Sequence, residues 1–147
     1  MKKDFVMRGK LATGETEVLN FSGHKAGYAY KLRQLDVYPG SGIGSANFEG
    51  AVSITAGKAS VNPLAPDFKD EGLIGTAYYG SNTAAGTVEQ HAVINDTIMI
   101  TQDLIIEARD ASGNGLDVNY QARFESVKMS GPEQAVANYK QFTISDV

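Results

Sequence analysis

The chain has 147 residues with 16 glycines, four prolines, no cysteine and a net charge of −4, its acidic and basic residues mixed rather than blocked. Disulfides, thiolate metal sites and cysteine nucleophiles are therefore excluded, and the lack of a basic stripe argues against a nucleic-acid partner. No run approaches the roughly 20 apolar residues that span a bilayer, and Met1-Lys2-Lys3-Asp4-Phe5 leads into no signal-like apolar segment, so the chain reads as soluble, made in a cytoplasm and without a membrane partner.

The length suits one domain over 1–147, and the short runs of Val, Ile, Thr, Tyr and Phe between glycines predict strands joined by tight turns. Asp4 to Leu11 reads as a first strand and Glu15 to Phe21 as a second, paired as a hairpin across Ala12-Thr13-Gly14. From Gly27 to Tyr38 the apolar positions run Tyr28, Tyr30, Leu32 and then change parity at Leu35 and Val37, which predicts a bulge, a bend or a strand leaving one sheet for another. Tyr38 to Gly50 reads as a Gly-rich loop, Ala51 to Ala56 as a strand, and the stretch through Val61-Asn62-Pro63-Leu64-Ala65-Pro66-Asp67 as a second long connection. Long connections in a domain of this size are commonly functional, so both are candidate contact surfaces.

Leu73 to Tyr79 is short enough to be strand or helix, and Thr87 to Ile94 reads as strand. Thr97 to Arg109 carries apolar residues at even positions. Leu116, Val118, Tyr120, Ala122 and Phe124 then share one face, with Asp117, Asn119, Gln121, Arg123 and Glu125 toward water. Helical spacing is credible only over 132–139, where Pro132 takes a first-turn position near Ser130. About eight strands with turn signals every ten residues predict an all-β fold, an antiparallel β-sandwich of jelly-roll type with one short C-terminal helix.

Motifs with catalytic or ligand-binding overtones reduce to turn chemistry. Gly40-Ser41-Gly42-Ile43-Gly44-Ser45 lacks both the following helix and the Gly-Lys-Ser/Thr ending of a phosphate loop. Asp110-Ala111-Ser112-Gly113-Asn114-Gly115 matches the first half of a calcium loop, but position twelve is Gln121 and the flanks alternate as strands do. A hairpin turn is the favoured reading, with weak Ca²⁺ binding left open. His24 and His91 have no histidine at metal-ligand spacing, and no serine sits in a nucleophile elbow. Asp67, Asp70 and Glu71 could suggest paired acids, yet Lys69 and Pro66 beside them favour a solvated loop. No catalytic residue, metal ligand or cofactor is expected.

Aromatic and aliphatic side chains in or beside loops are the remaining candidates, because exposed rings anchor interfaces. These are Tyr38, Ile43, Phe48, Phe68, Tyr78 and Tyr79, joined near the C-terminus by Tyr139 and Phe142. Tyr28, Tyr30, Tyr120 and Phe124 have core spacing instead.

The stretch from Phe124 to Asp146 (FESVKMSGPEQAVANYKQFTISD), the run from Met7 to Gly23 (MRGKLATGETEVLNFSG) and the long Gly-rich loops resemble small capsid decoration (cement) proteins of tailed bacteriophages. The resemblance implies a non-enzymatic virion protein at the capsid surface whose partner is the major capsid protein. It implies seating between capsid subunits and a homo-oligomer, with a trimer as the expected form. A carbohydrate- or receptor-binding sandwich from a phage tail or secreted scaffold is the alternative, since the same fold serves lectins.

Overall fold

Residues 3–21, 27–57, 59–130 and 132 are described by the computed structural model. Among them eight strands follow one another as β1 (Lys3–Leu11), β2 (Thr16–Leu19), β3 (Tyr28–Pro39), β4 (Phe48–Thr55), β5 (Leu73–Asn82), β6 (Thr87–Ile94), β7 (Leu104–Asp110) and β8 (Val118–Lys128). They form two antiparallel sheets, one ordered β1-β8-β3 and the other β2-β7-β4-β5-β6. The all-β sandwich expected from the alternation is thus present. Apart from Pro132, the C-terminal helix expected over 132–139 lies outside the described residues.

The pairing is nested in the manner of a jelly roll: β1 with β8, β2 with β7, β4 with β5. Full closure of that scheme would pair β3 with β6 as well. Here β6 stays hydrogen-bonded to β5, so a five-stranded sheet faces a three-stranded one. The outer edge of β3 is met instead by Ile100, whose amide donates to Tyr30 O at 2.7 Å and whose carbonyl accepts from Tyr30 N at 2.9 Å.

Two expected hairpins are corners. β1 and β2 belong to opposite sheets, and Gly14, at φ 85°, turns the chain so that its amide donates to Ala108 O on β7. β7 and β8 are likewise split between the sheets, so the Asp110 to Gly115 turn carries the chain across the core rather than back along one sheet. Alternation fixes which face of a strand is buried but not which strand lies beside it. The parity change in β3 is a bulge, with the register against β8 shifting between Leu32 and Gln34.

The core fills from both inner faces: Leu32, Leu35, Val37, Val118, Ala122 and Phe124 from one sheet meet Val52, Ile54, Ala77, Leu104 and Ile106 from the other. At one end four rings close the sandwich, with Phe21 and Phe124 edge to face at 4.9 Å and Phe5 against Tyr30 at 5.4 Å. On β8 the polar alternates reach water except Glu125, which is buried and paired with Arg33 at 3.1 Å.

β4 is buried on both faces. Its outward residues Ala51, Ser53 and Thr55 are covered by the connection that follows, which folds back over the sheet. Ser53 Oγ donates to Val61 O and Thr55 Oγ1 to Ala59 O, while Ser60 Oγ donates to the buried carboxylate of Glu107 at 2.6 Å. Arg109 Nε completes that carboxylate's contacts at 2.7 Å, so a charge under the flap is both paired and hydrogen-bonded. The flap is therefore anchored, and it holds its apolar side chains in fixed positions.

Candidate functional site

Two exposed regions gather most of the large apolar side chains that the core does not use, Val6 and Val18 lying apart from them. The first is one end of the sandwich, where the Gly-rich loop leaves β3. Gly42 and Gly44 take positive φ of 71° and 77°, which lets the loop fold tightly with Ser45 N and Ala46 N both donating to Gly42 O at 3.0 Å. Asn47 ties this loop to its neighbours: its side-chain oxygen accepts from Thr83 N at 2.9 Å, and its carbonyl accepts from Asn114 Nδ2 at 2.9 Å. Ile43 is held out at the tip with 64% of its surface exposed.

Tyr38 is exposed and meets Tyr79 edge to face at 5.6 Å, and Tyr79 in turn rests on Phe48 at 6.0 Å. Beside Tyr38 an open groove of about 630 Å³ runs over the outer face of the three-stranded sheet, lined by Arg8, Lys10, Asp36, Asn119 and Gln121.

The second region lies on the flap and the β5–β6 hairpin. Phe68 is 66% exposed, and with Val93 it borders a groove of about 450 Å³. Val93 also borders a smaller groove of about 280 Å³ with Pro63, Leu64, Tyr78 and Ala92, so it stands between the groove that Leu64 lines and the one that Phe68 lines beside Lys69, Asp70 and Glu71. The Tyr78 hydroxyl is pushed up from its ordinary pKa by burial, and further by Glu49 and Glu89.

The sequence candidates divide accordingly. Tyr38, Ile43 and Tyr79 come together at the loop end, and Phe68 and Tyr78 lie in the second region. Phe48 is corrected: it falls in β4, only 1% exposed, with its ring folded over Gly50 on the same strand, so it supports the core and Tyr79 rather than meeting a partner. Tyr139 and Phe142 lie outside the described residues. Leu64, Val88 and Val93 were missed. The sequence signal for the last two is apolar residues on both faces of one short strand, which an edge strand with uncovered faces can carry.

Asp110 is a turn-builder. Its carboxylate accepts from Ser112 N, Ser112 Oγ, Leu116 N and Glu49 N at 2.7 to 3.1 Å. Burial alone would raise its pKa, but those four donors outweigh it and hold the group below the ordinary 3.8. With its lone pairs already engaged, the carboxylate is not presented to a cation. Asp67 and Asp70 likewise accept from the amides of Lys69 and Gly72 in turns. His91 is exposed on β6, and His24 lies outside the described residues. Among the described residues no three His, Asp or Glu side chains gather as a metal site.

No family model matches the sequence, and no curated protein matches it. Similar solved structures include a chain of turnip yellow mosaic virus, 12% identical with a TM-score of 0.38 over 87% of this chain and 93% of that one. A chain of Desmodium yellow mottle tymovirus is 8% identical with a TM-score of 0.33 over 89% and 92%. A chain from the empty head of turnip yellow mosaic virus is 11% identical with a TM-score of 0.32 over 86% and 82%. At such values the likeness carries no argument about function.

Proposed function

We propose that the chain is a non-enzymatic virion structural protein, a decoration (cement) protein that seats between major capsid subunits of a tailed bacteriophage and stabilises the shell. The observation that carries this reading is the exposure of Leu64 and Phe68 on the anchored flap and of Val93 on β6, three apolar side chains bordering two grooves on one side of the domain. Large apolar side chains kept at the surface in this way suit a protein interface. A homo-oligomer would engage several capsid subunits at once and multiply a modest affinity per site. The chain would be made in the host cytoplasm and act on the capsid surface.

Co-sedimentation with expanded capsids tests the proposal. The protein should pellet with the shells, and a Leu64→Ser, Phe68→Ser, Val93→Ser variant that melts like its parent should stay in solution. A parent protein found wholly in the supernatant overturns it.

One observation favours a second reading. The Tyr38–Tyr79 ring pair stands beside a groove lined by Arg8, Asp36, Asn119 and Gln121, and a ring next to planar polar groups suits a sugar. Selective binding on a glycan array, lost in Tyr38→Ala, would favour a carbohydrate- or receptor-binding module. A cement protein should show no saccharide preference.

A further inference from the structure

Four strands lie at sheet edges: β1 and β3 in one sheet, β2 and β6 in the other. An edge exposes a row of unpaired amides and carbonyls, and stable monomers blunt it with charges, shortness, bulges or a covering segment. β1 carries Asp4, Arg8 and Lys10 along its length, and β2 is only four residues long. β3 is bulged between Leu32 and Gln34 and bridged at Tyr30 by Ile100.

β6 is the least protected of the four, with Glu89 as its one acidic residue. It runs eight residues without Pro, Lys or Arg, keeps one unbroken register against β5, and no described residue pairs with its outer edge. Its side chains are exposed from Thr87 through Val93 on both faces, Val88 at 61% and Val93 at 53%, while Ile94 at its end packs beside Leu32 of β3 over Gly75. From Thr87 to Val93 the edge has no hydrogen-bonded strand partner among the described residues, and a second strand has backbone groups to pair with there.

We infer that β6 pairs antiparallel with β6 of a second copy of this chain about a two-fold axis, joining two five-stranded sheets into one. The occupant follows from the sequence of the edge itself. Opposed side chains in an antiparallel pair lie on the same face, so a two-fold axis normal to the sheet must pass through a residue position and not between two. Centring the axis on Glu89 sets that carboxylate against its own copy, which is repulsive. Centring it on His91 sets imidazole against imidazole and leaves Glu89 opposite an apolar Val93.

Of these three, the axis through Gln90 is the most complementary, with Thr87 falling opposite Val93. It sets Glu89 opposite the second copy's His91 twice over and Val88 opposite Ala92 twice over. The two Gln90 amides then meet, and an amide both donates and accepts. Such a dimer would form in solution whether or not the protein enters a virion, so its failure and the failure of the capsid proposal are separable.

Engineered cysteines test it on the full chain, which has no cysteine of its own. Gln90→Cys should give a covalent dimer on oxidation or with a short bismaleimide, because only the residue on the axis meets itself. Val88→Cys alone should not cross-link, whereas Val88→Cys with Ala92→Cys should. By sedimentation velocity the parent should be a dimer, Glu89→Lys should weaken it about tenfold by opposing Lys to His91 at two sites, and adding His91→Glu should restore it. A parent that stays monomeric at its highest soluble concentration overturns the inference, as does a dimer that Gln90→Cys fails to trap. If the isolated chain is monomeric but Gln90→Pro abolishes capsid binding, the edge serves another protein's strand and the two-fold pairing is wrong.

Discussion

Tyr120, on β8 of the three-stranded sheet, is hydrogen-bonded through its side chain to Glu17 on β2 of the five-stranded sheet, so one phenol ties the two layers together. The ring is buried and lies over Gly9, which faces it on β1: a Cβ there would come within 2.6 Å of the ring. Burial first, and then Glu17, push the Tyr120 pKa up to about 12.

Alkaline pH should therefore weaken the fold through this residue. The folded state holds the proton more tightly than the unfolded chain, whose tyrosine titrates near 10. The contribution is fully present below pH 10 and is lost as pH rises toward about 12. Denaturant melts at stepped pH should show stability falling across that window, and Tyr120→Phe should flatten the fall while costing roughly 1 kcal/mol at neutral pH. An unchanged alkaline slope in Tyr120→Phe would remove Tyr120 from the account.

Asp110 predicts the opposite limb. Its four donors come from the loop after β7 and from Glu49 at the start of β4, so the carboxylate pins a corner between the sheets. The folded pKa is depressed, so the contribution is present above the unfolded value near 3.8 and is lost as pH falls through the folded one. Asp110→Ala should cost about 1–3 kcal/mol at pH 7 and remove part of the acid sensitivity below pH 4. Asp110→Asn should keep some of the stability but none of this pH dependence. Acid melts that coincide for the parent and Asp110→Asn would contradict this role.

Much of this fold was readable residue by residue, and the unreadable part has one physical origin. Alternation in Val118, Tyr120, Ala122 and Phe124 reports a buried face directly, and the slip between Leu32 and Leu35 reports the bulge, because both are local consequences of a two-residue period. Partner choice is not local. Gly14 and the Asp110 loop carry hairpin chemistry, yet both serve corners, since β1 and β8 find each other across the whole chain. Phe48 looked like a loop residue because Gly50 follows it, although that glycine is what lets the ring fold inward. Of the candidate surfaces, the aromatic end was legible from Tyr38 and Tyr79. The β6 edge was not, because a strand's sequence does not say that its neighbour is missing.

Gly75 should tolerate little. It sits on the inner face of β5 where a Cβ would lie 2.7 Å from Leu32 and 3.5 Å from Leu35, both buried on the facing sheet. Neither leucine can withdraw without opening the core, so Gly75→Ala is expected to cost about 1–3 kcal/mol by overpacking. Adding Leu32→Val should recover part of that loss by vacating the space, and thermal melts of the single and double variants measure the coupling. Strict additivity of the two substitutions would mean that they do not share this contact.

The aromatic candidates should separate by experiment into core and surface. Phe48→Ala removes a ring that is packed inside β4 and supports Tyr79, and is expected to cost about 3–5 kcal/mol. Phe68→Ser and Leu64→Ser change side chains that point to water from an anchored flap, so each should leave stability within about 0.5 kcal/mol. Chemical denaturation gives the first comparison, and affinity for any partner the second. If the apolar flap is an interface, its substitutions lower affinity at unchanged stability, because a side chain kept exposed by anchored backbone contributes little until something covers it. Loss of stability in Phe68→Ser equal to that in Phe48→Ala would instead make the flap part of the core.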